Sequence, residues 1–524
     1  MNIVSMKRSN PKAKAWSVVA FLFFVLLLVH IPIVLIRADT ADEQLHNLIP
    51  TCCDDAVYQI PAINMMYGKG FSQSFSVPFD LYHLARDTPF SRSAAEDYEA
   101  YGVQPPRPDF QRTPGFPILL TLTYAIFGNN PLNARRMLAL QGIATALLLY
   151  FAGINLSKWP GVIAGGLVAI YFLDFQPGLI QPIGTSYGAL LTEAPTAFWI
   201  ALFCLAFIVY LKQHRTRYLV LASIGLAGAI FTRANLLTAI FPLALYLWLT
   251  RHKVSSICLF VTICVAPVVI WSIYASIVTG KFVAFSTQGD SLFAETNNMD
   301  MITGSIQNSP GDWSPGYEKD ANGQLIITYV NDAKSGESGW SKGFTFWREN
   351  FSLLPTLFYI KLNAGFWNYY GFSVNVLQPE RLHLFGIGLL LAMLGLRIPP
   401  KRLDWLSSGK SGTTVLLMLV LLLILGNHSN FLTTFLIWLI ILIFALLFPY
   451  GDLVQLGFVA PVWFLAFVVS HLITTLIFYG LRFHWPLDAP LLLISLTGIL
   501  TFIQYLVGSI GFHRRTGKWL LVYW

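Results

Sequence analysis

Long uninterrupted apolar runs separated by short basic clusters set the pattern of this chain. They predict helices over residues 16–36, 134–154, 160–175, 190–211, 218–232, 235–250, 254–279, 383–397, 413–427, 429–448, 457–480 and 489–510. Many of these runs approach or exceed the roughly 18 to 20 residues that a helix needs to cross about 30 Å of hydrocarbon. They are continuous rather than alternating, so helices, not barrel strands, satisfy the backbone in the bilayer. The expected fold is all-α: a polytopic integral membrane helical bundle of about twelve spans, with extracytoplasmic juxtamembrane helices and a small second outer loop region. The first run, Val18 to Ile36, is long for a signal-peptide core and lacks a small-x-small cleavage site, which reads as an uncleaved span.

Basic clusters orient the spans. With the arm MNIVSMKRSNPKAKAW in the cytoplasm, the same side receives Lys158, KQHRTR at 212–217, RHK at 251–253, RIPPKR at 397–402, and Arg514, Arg515 and Lys518. Of 26 acidic residues, only Asp404 and Asp452 fall there. Both termini are therefore expected in the cytoplasm, in a multi-pass protein of the plasma (inner) membrane. Residues 1–510 form one transmembrane domain in this reading, and 511–524 a cytoplasmic tail. Two polar segments face outside: 37–133, a first outer catalytic loop, and 280–355, a second loop or cap expected to be poorly structured. Within the first, PGFPILLTLTYAIFG at 114–128 is too short to span and reads as an interfacial helix. The aromatic run at 351–372 suits the headgroup layer.

Composition agrees: 55% of residues are hydrophobic and 11% charged, against about a quarter charged in soluble proteins. The net charge of +8 lies in clusters between spans, as membrane topology requires, so no nucleic-acid site is read. The five cysteines support neither a zinc site nor a disulfide framework. There is no DxD; GKSG at 409–412 lacks the upstream glycine of a phosphate loop, and GKG at 68–70 lacks a third glycine. Nothing grips a soluble nucleotide. A phosphate-bearing substrate on the outer face would have to be lipid-linked.

Asp54 and Asp55 follow the first span, with Tyr58 and Gln59 on the helical face of Asp55. A carboxylate with a pKa raised by partial burial serves as a general base on an acceptor hydroxyl; the plainer role is a charge pair at a helix start. Arg112, in QRTPG at 111–115, is aimed by a chain stiffened at Pro114, and its fork matches phosphate oxygens. A lone arginine there would otherwise be a headgroup anchor. Glu193 stands at the outer end of an otherwise uncharged run, where an acid is functional or paired. Arg233, between two short runs, is the matching cation and a second candidate phosphate ligand. Arg482 and His484, in LRFHWP, are candidate substrate contacts or interface anchors, while Tyr187, Asp174, Arg135 and Arg136 offer proximity only.

Five strings, DDAVYQIPAINMMYGKGFS at 54–72, RTPGFPILLTLTYAIFG at 112–128, LTEAPTAFW at 191–199, TRAN at 232–235 and LRFHWPLDAP at 481–490, give the chain a family likeness. It resembles the glycosyltransferase C superfamily, in the polyprenyl-phosphate-sugar-dependent branch that holds the lipid A aminoarabinose transferases and the protein O-mannosyltransferases. The resemblance implies an inverting transfer of a hexosyl or pentosyl unit from a polyprenyl-phosphate donor to a hydroxyl of a lipid, glycan or protein acceptor on the extracytoplasmic face. It matches the catalytic base to Asp54 with Tyr58 in register, the phosphate-binding cation to Arg112, the second acid to Glu193, and the later basic residues to Arg233 and Arg482. Here Arg-Thr-Pro-Gly stands where the aminoarabinose enzymes carry a Lys-Pro-Pro string.

The choice between Asp54 and Asp55 as base rests on register. The sequence requires no cofactor; a divalent cation, Mg or Mn, bridging Asp54, Glu193 and the phosphate is chemically reasonable without a visible ligand cage. A transporter or flippase of lipid-linked sugars is the alternative, expected to carry ionisable residues near the bilayer midplane rather than at the outer edge. A scaffold would leave the ordered motifs unexplained.

Overall fold

The computed structural model describes residues 11–44, 53–72, 108, 110–128, 131–157, 159–175, 192–303, 316–319, 325–328, 338–367, 473–474, 476–477, 490–501 and 503. The expected spans at 383–397, 413–427 and 429–448, most of 457–480, the tail at 511–524, and Tyr187, Arg482 and His484 lie outside the described residues. So do the side chains of Asp54, Asp55 and Asp174, although their helices are described.

The first seven apolar runs become helices, most of them within a few residues of their expected limits. These are α1 (Pro11–Gln44), α4 (Pro131–Leu156), α5 (Trp159–Phe175), α6 (Glu193–Gln213), α7 (Thr216–Thr232), α8 (Ile240–Leu249) and α9 (Val254–Thr279), with α2 (Cys53–Met66) and α3 (Gly115–Phe127) between α1 and α4. A 3-10 turn, Ala234–Ala239, joins α7 to α8. Among the described residues, four helices are long and apolar enough to cross a membrane: Ser17–Ile36, Leu132–Leu156, Glu193–Gln213 and Val254–Thr279. The shorter α3, α7 and α8 are apolar as well.

Helix α6 is the centre of the bundle. Its apolar window is 72% buried, against 11% for α1 and 22% for α9, whose outward side chains, Val18, Phe21, Ile270 and Ile277 among them, are exposed as a lipid-facing surface would be. Lipid tails are as apolar as leucine, so close packing rather than water exclusion must hold such helices together. Small residues permit it: Gly153 of α4 lies against Gly161 and Gly165 of α5, and Gly225 of α7 against the backbone of Phe203 in α6.

The antiparallel run of helices sorts the chain into two ends. Glu193 starts α6 and Thr232 finishes α7, so both sit at one end, while the basic turns at 212–217 and 250–253 sit at the other. There His214 and Arg251 adopt left-handed backbone conformations, and the Tyr210 hydroxyl bonds His252 Nδ1 at 2.7 Å. The basic turns thus lie at the end of these helices opposite Glu193.

Over its described residues, the second polar segment holds more regular structure than expected. It supplies α10 (Gln288–Thr296), α11 (Asp300–Thr303) and α12 (Gly339–Glu349), and the aromatic run beyond it forms α13 (Leu354–Trp367). A short antiparallel hairpin, β1 (Gly316–Lys319) with β2 (Leu325–Thr328), adds a strand pair to the helices of the described residues, Gly316 opposite Thr328. Packing explains the order: Phe293 of α10 meets Trp340, Phe344 and Trp347 of α12 with ring centroids 4.6, 5.0 and 5.3 Å apart.

Candidate functional site

The segment preceding α3 is locked to the end of α7. Thr113 Oγ1 donates to the Thr232 carbonyl at 2.6 Å. Gly115, the first residue of α3, approaches the same strand of backbone so closely that a Cβ there would lie 2.5 Å from the Phe231 carbonyl oxygen. Glycine at this position is thus a condition of contact between α3 and α7. Arg112 stands just before this junction, its guanidinium carbon 5.7 Å from the centroid of the Tyr58 ring. Such a geometry attracts the cation to the ring face. Tyr58 in turn meets Phe116 edge-on, with centroids 5.3 Å apart.

Helix α2 lies along α3. Tyr58, Ala62 and Ile63 pack with Phe116, Leu120 and Tyr124, and the cluster continues into Ala134, Leu138 and Ala194. The Tyr124 hydroxyl donates to Gln59 Oε1 at 3.1 Å. Asp54 and Asp55 occupy the first turn of α2, with Asp54 one helical turn ahead of Tyr58. The acidic turn and the stiffened arginine, far apart in the chain, therefore belong to one end of the protein, and Tyr58 is the bridge between them.

Arg233 and Glu193 are joined directly. Arg233 Nη2 meets Glu193 Oε1 at 2.8 Å, and Arg233 Nε donates to Thr192 Oγ1 at 2.9 Å. The side chains are only 12% and 5% exposed, so this is a buried pair. Such a pair persists where each charge is met by its partner and by further hydrogen bonds. Glu193 Oε2 is buried with no hydrogen-bond partner among the described residues. Arg135, 2% exposed, lies beside Ala134 of the same cluster; sequence alone offered only its proximity.

Glu295 was not read from the sequence. It sits on α10, whose approach is tied to the arginine segment because the Thr287 amide donates to the Phe110 carbonyl at 2.8 Å. Phe285 also meets Phe231, ring centroids 5.9 Å apart. Burial pushes the Glu295 carboxyl up from its usual range, and the positive charge of Arg112 draws it partly back. An acid in the Asn-rich string FAETNNMD carries no periodic signal, so only the long-range pairing of the two outer segments exposes it.

Among the described residues no three His, Cys, Asp or Glu side chains are grouped as a metal site. Glu193 Oε2 is one hard oxygen donor suited to Mg or Mn.

The fold and this site define a multi-helix membrane protein with cationic and acidic groups gathered at the end opposite its basic turns. Residues 111–273, from the residue before Arg112 through the end of α7 and into α9, match the family model described as dolichyl-phosphate-mannose-protein mannosyltransferase. The likeness to the glycosyltransferase C superfamily holds over that stretch, which includes Arg112, Glu193 and Arg233. No curated protein and no solved structure gives a significant match to the chain.

Proposed function

We propose that the chain is an inverting glycosyltransferase that takes a sugar from a polyprenyl phosphate and passes it to an acceptor hydroxyl at the extracytoplasmic face of the membrane. The single observation behind this reading is the convergence of Arg112 on Tyr58, one helical turn from Asp54. A cation and an acidic turn at one membrane-facing end meet the two needs of the reaction.

As the bond between the anomeric carbon and the phosphate oxygen breaks, negative charge grows on the leaving lipid phosphate. Arg112, with Arg233 held beside it through the Thr113 and Thr232 link, stabilises that charge. The acceptor hydroxyl attacks from the opposite face, and Asp54, or Asp55 in its place, removes its proton. Electrons of the cleaved bond remain on the phosphate, and no covalent enzyme intermediate is needed. Glu193 holds Arg233, and its buried Oε2 keeps an acceptor without a partner among the described residues. Arg482 and His484 complete the substrate contacts in this proposal. A divalent ion, if bound, would take Glu193 Oε2 and Asp54 as ligands and supply further charge stabilisation. Burial of the isoprenoid among apolar helices supplies affinity, leaving the polar groups to set reactivity.

The test is transfer by the purified full chain in nanodiscs, with radiolabelled dolichyl-phosphate mannose as donor and membrane extract as acceptor source. Asp54→Asn or Asp55→Asn should lower kcat by about 10²- to 10⁴-fold, the usual loss on removing a general base. Full transfer by both variants would remove the proposed mechanism. Movement of the lipid across the bilayer with its glycosidic bond intact would favour the transporter instead.

A further inference from the structure

Helices α10, α12 and α13 of the second outer segment are tied into the site from two sides. On one side the Thr287 amide, just ahead of α10, donates to the Phe110 carbonyl at 2.8 Å, two residues before Arg112. The Trp340 amide of α12 donates to Asp290 Oδ1 of α10 at 2.8 Å, which joins the two helices. On the other side stands Lys361 of α13, with 0% of its surface exposed. Its Nζ donates to Asn297 Oδ1 at 2.7 Å, to the Leu476 carbonyl at 3.0 Å and to the Ile477 carbonyl at 3.1 Å. Asn297, the residue that follows α10, accepts at Oδ1 from Trp347 Nε1 of α12 at 2.8 Å and donates through Nδ2 to the Ile477 carbonyl at 3.0 Å. Buried polar groups of this kind persist only when such partners are met.

The carbonyls of Leu476 and Ile477 fall near the close of the apolar run expected over 457–480, where a helix runs out of amide partners for its oxygens. Lys361 and Asn297 supply donors to them from outside that run. From the same short stretch Thr474, 3% exposed, reaches with Oγ1 to the Asn235 carbonyl at 3.5 Å. Asn235 lies two residues beyond Arg233. The bond from Thr113 to Thr232 already joins the two arginine segments, so these contacts close a ring: Phe110 to the start of α10, the end of α10 and Lys361 to 476–477, Thr474 to Asn235, and Thr232 back to Thr113. Parting the two arginine segments then needs a break on each side of the ring.

We propose that Lys361, Asn297 and Thr474 are positioning residues of the site: they clasp the outer helices to the Arg233 turn, so that Arg112 and Arg233 are held at a fixed separation for a lipid-linked phosphate. This rests on the phosphate-binding role given to both arginines above. The three residues act through the arginine segments and not by contact with substrate.

The experiment compares binding of dolichyl phosphate and of dolichol to the full chain in nanodiscs and follows hydrogen exchange in the same samples. Thr474→Val removes the hydroxyl at nearly constant shape. It should lower the preference for dolichyl phosphate over dolichol by about two- to tenfold, the net effect of one hydrogen bond, and raise exchange at residues 234–239 while residues 288–296 stay protected. Lys361→Met should lower the preference at least as far and raise exchange over both stretches. Trp347→Phe removes one donor to Asn297, keeps an aromatic ring, and serves where Lys361→Met does not fold. Because the positions act along one path, combining Thr474→Val with either of the other two should lower the preference by less than the product of the single losses. Equal weakening of dolichol and dolichyl phosphate, or losses that multiply in the double variant, makes the clasp a stabilising contact alone and overturns the positioning role. Unchanged exchange at 234–239 in every variant overturns the clasp itself. A wild-type chain that binds dolichyl phosphate no better than dolichol refutes the phosphate role of the arginines, a failure visible before any variant is made.

Discussion

Gly115 has no room for a side chain, because the Phe231 carbonyl occupies the place where a Cβ would stand. Gly115→Ala is expected to cost about 1–3 kcal/mol, the usual range for overpacking, read as a lower midpoint of thermal unfolding in detergent. It should also weaken lipid-phosphate binding, since Arg112 lies on the chain that would be pushed away. The Glu193 and Arg233 pair makes a different prediction. Glu193→Leu alone leaves a guanidinium buried beside an apolar neighbour and should destabilise by about 3–5 kcal/mol, whereas the double variant Glu193→Leu with Arg233→Met should recover most of that loss. Both are measured by equilibrium unfolding, and equal losses in the single and double variants would show that the pair contributes more than mutual neutralisation.

At the scale of elements, helix α13 carries a buried lysine, and burial pulls its amine from 10.5 down to about 7. An unfolded lysine keeps its proton up to 10.5 while the folded one gives it up near about 7, so across that window the unfolded chain binds more protons. Stability of the outer cap is therefore expected to climb as pH rises from about 7 toward 10.5, and Lys361→Met should flatten that slope. Hydrogen exchange at residues 288–303 and 339–361 across this pH range measures it. The same elements show where sequence reading stops. Helices α4 to α9 were legible because bilayer thickness dictates apolar length, and the partnership of Glu193 with Arg233 was legible because an acid at a span end needs a cation. The order of α10 and α12 was not, since it depends on Phe293, Trp340 and Trp347 meeting across long separations with no periodic pattern to announce them. Tyr58 was read as a neighbour in register with the acids; that its ring also receives Arg112 required the packing of α2 on α3.

For the whole molecule, the site end and the basic end are expected on opposite sides of the membrane. Exposed Phe282, 87% accessible, follows α9 at the site end, while exposed Arg215 lies in the basic turn between α6 and α7. In cells, Phe282→Cys should react with an impermeant maleimide from outside and Arg215→Cys only after permeabilisation. Native Cys204 and Cys264 are buried, while Cys258 is exposed, so the labelling is done in a background with Cys258, Cys52 and Cys53 replaced by serine. Labelling of both from one side would contradict the orientation drawn from charge.

The brevity of α7 carries a consequence for where this protein works best. At 1.5 Å per residue its 17 residues rise about 26 Å, less than the roughly 30 Å of an average hydrocarbon layer. Arg233, at its end, is then drawn beneath the level of the surrounding lipid phosphates unless the leaflet dimples toward it. A long-chain, sterol-rich membrane would resist that dimple and a short-chain one would welcome it. Reconstituted into bilayers of graded acyl length, the protein should turn over fastest in the thinnest that still keep it folded, making hydrophobic thickness a regulator of access to the guanidinium.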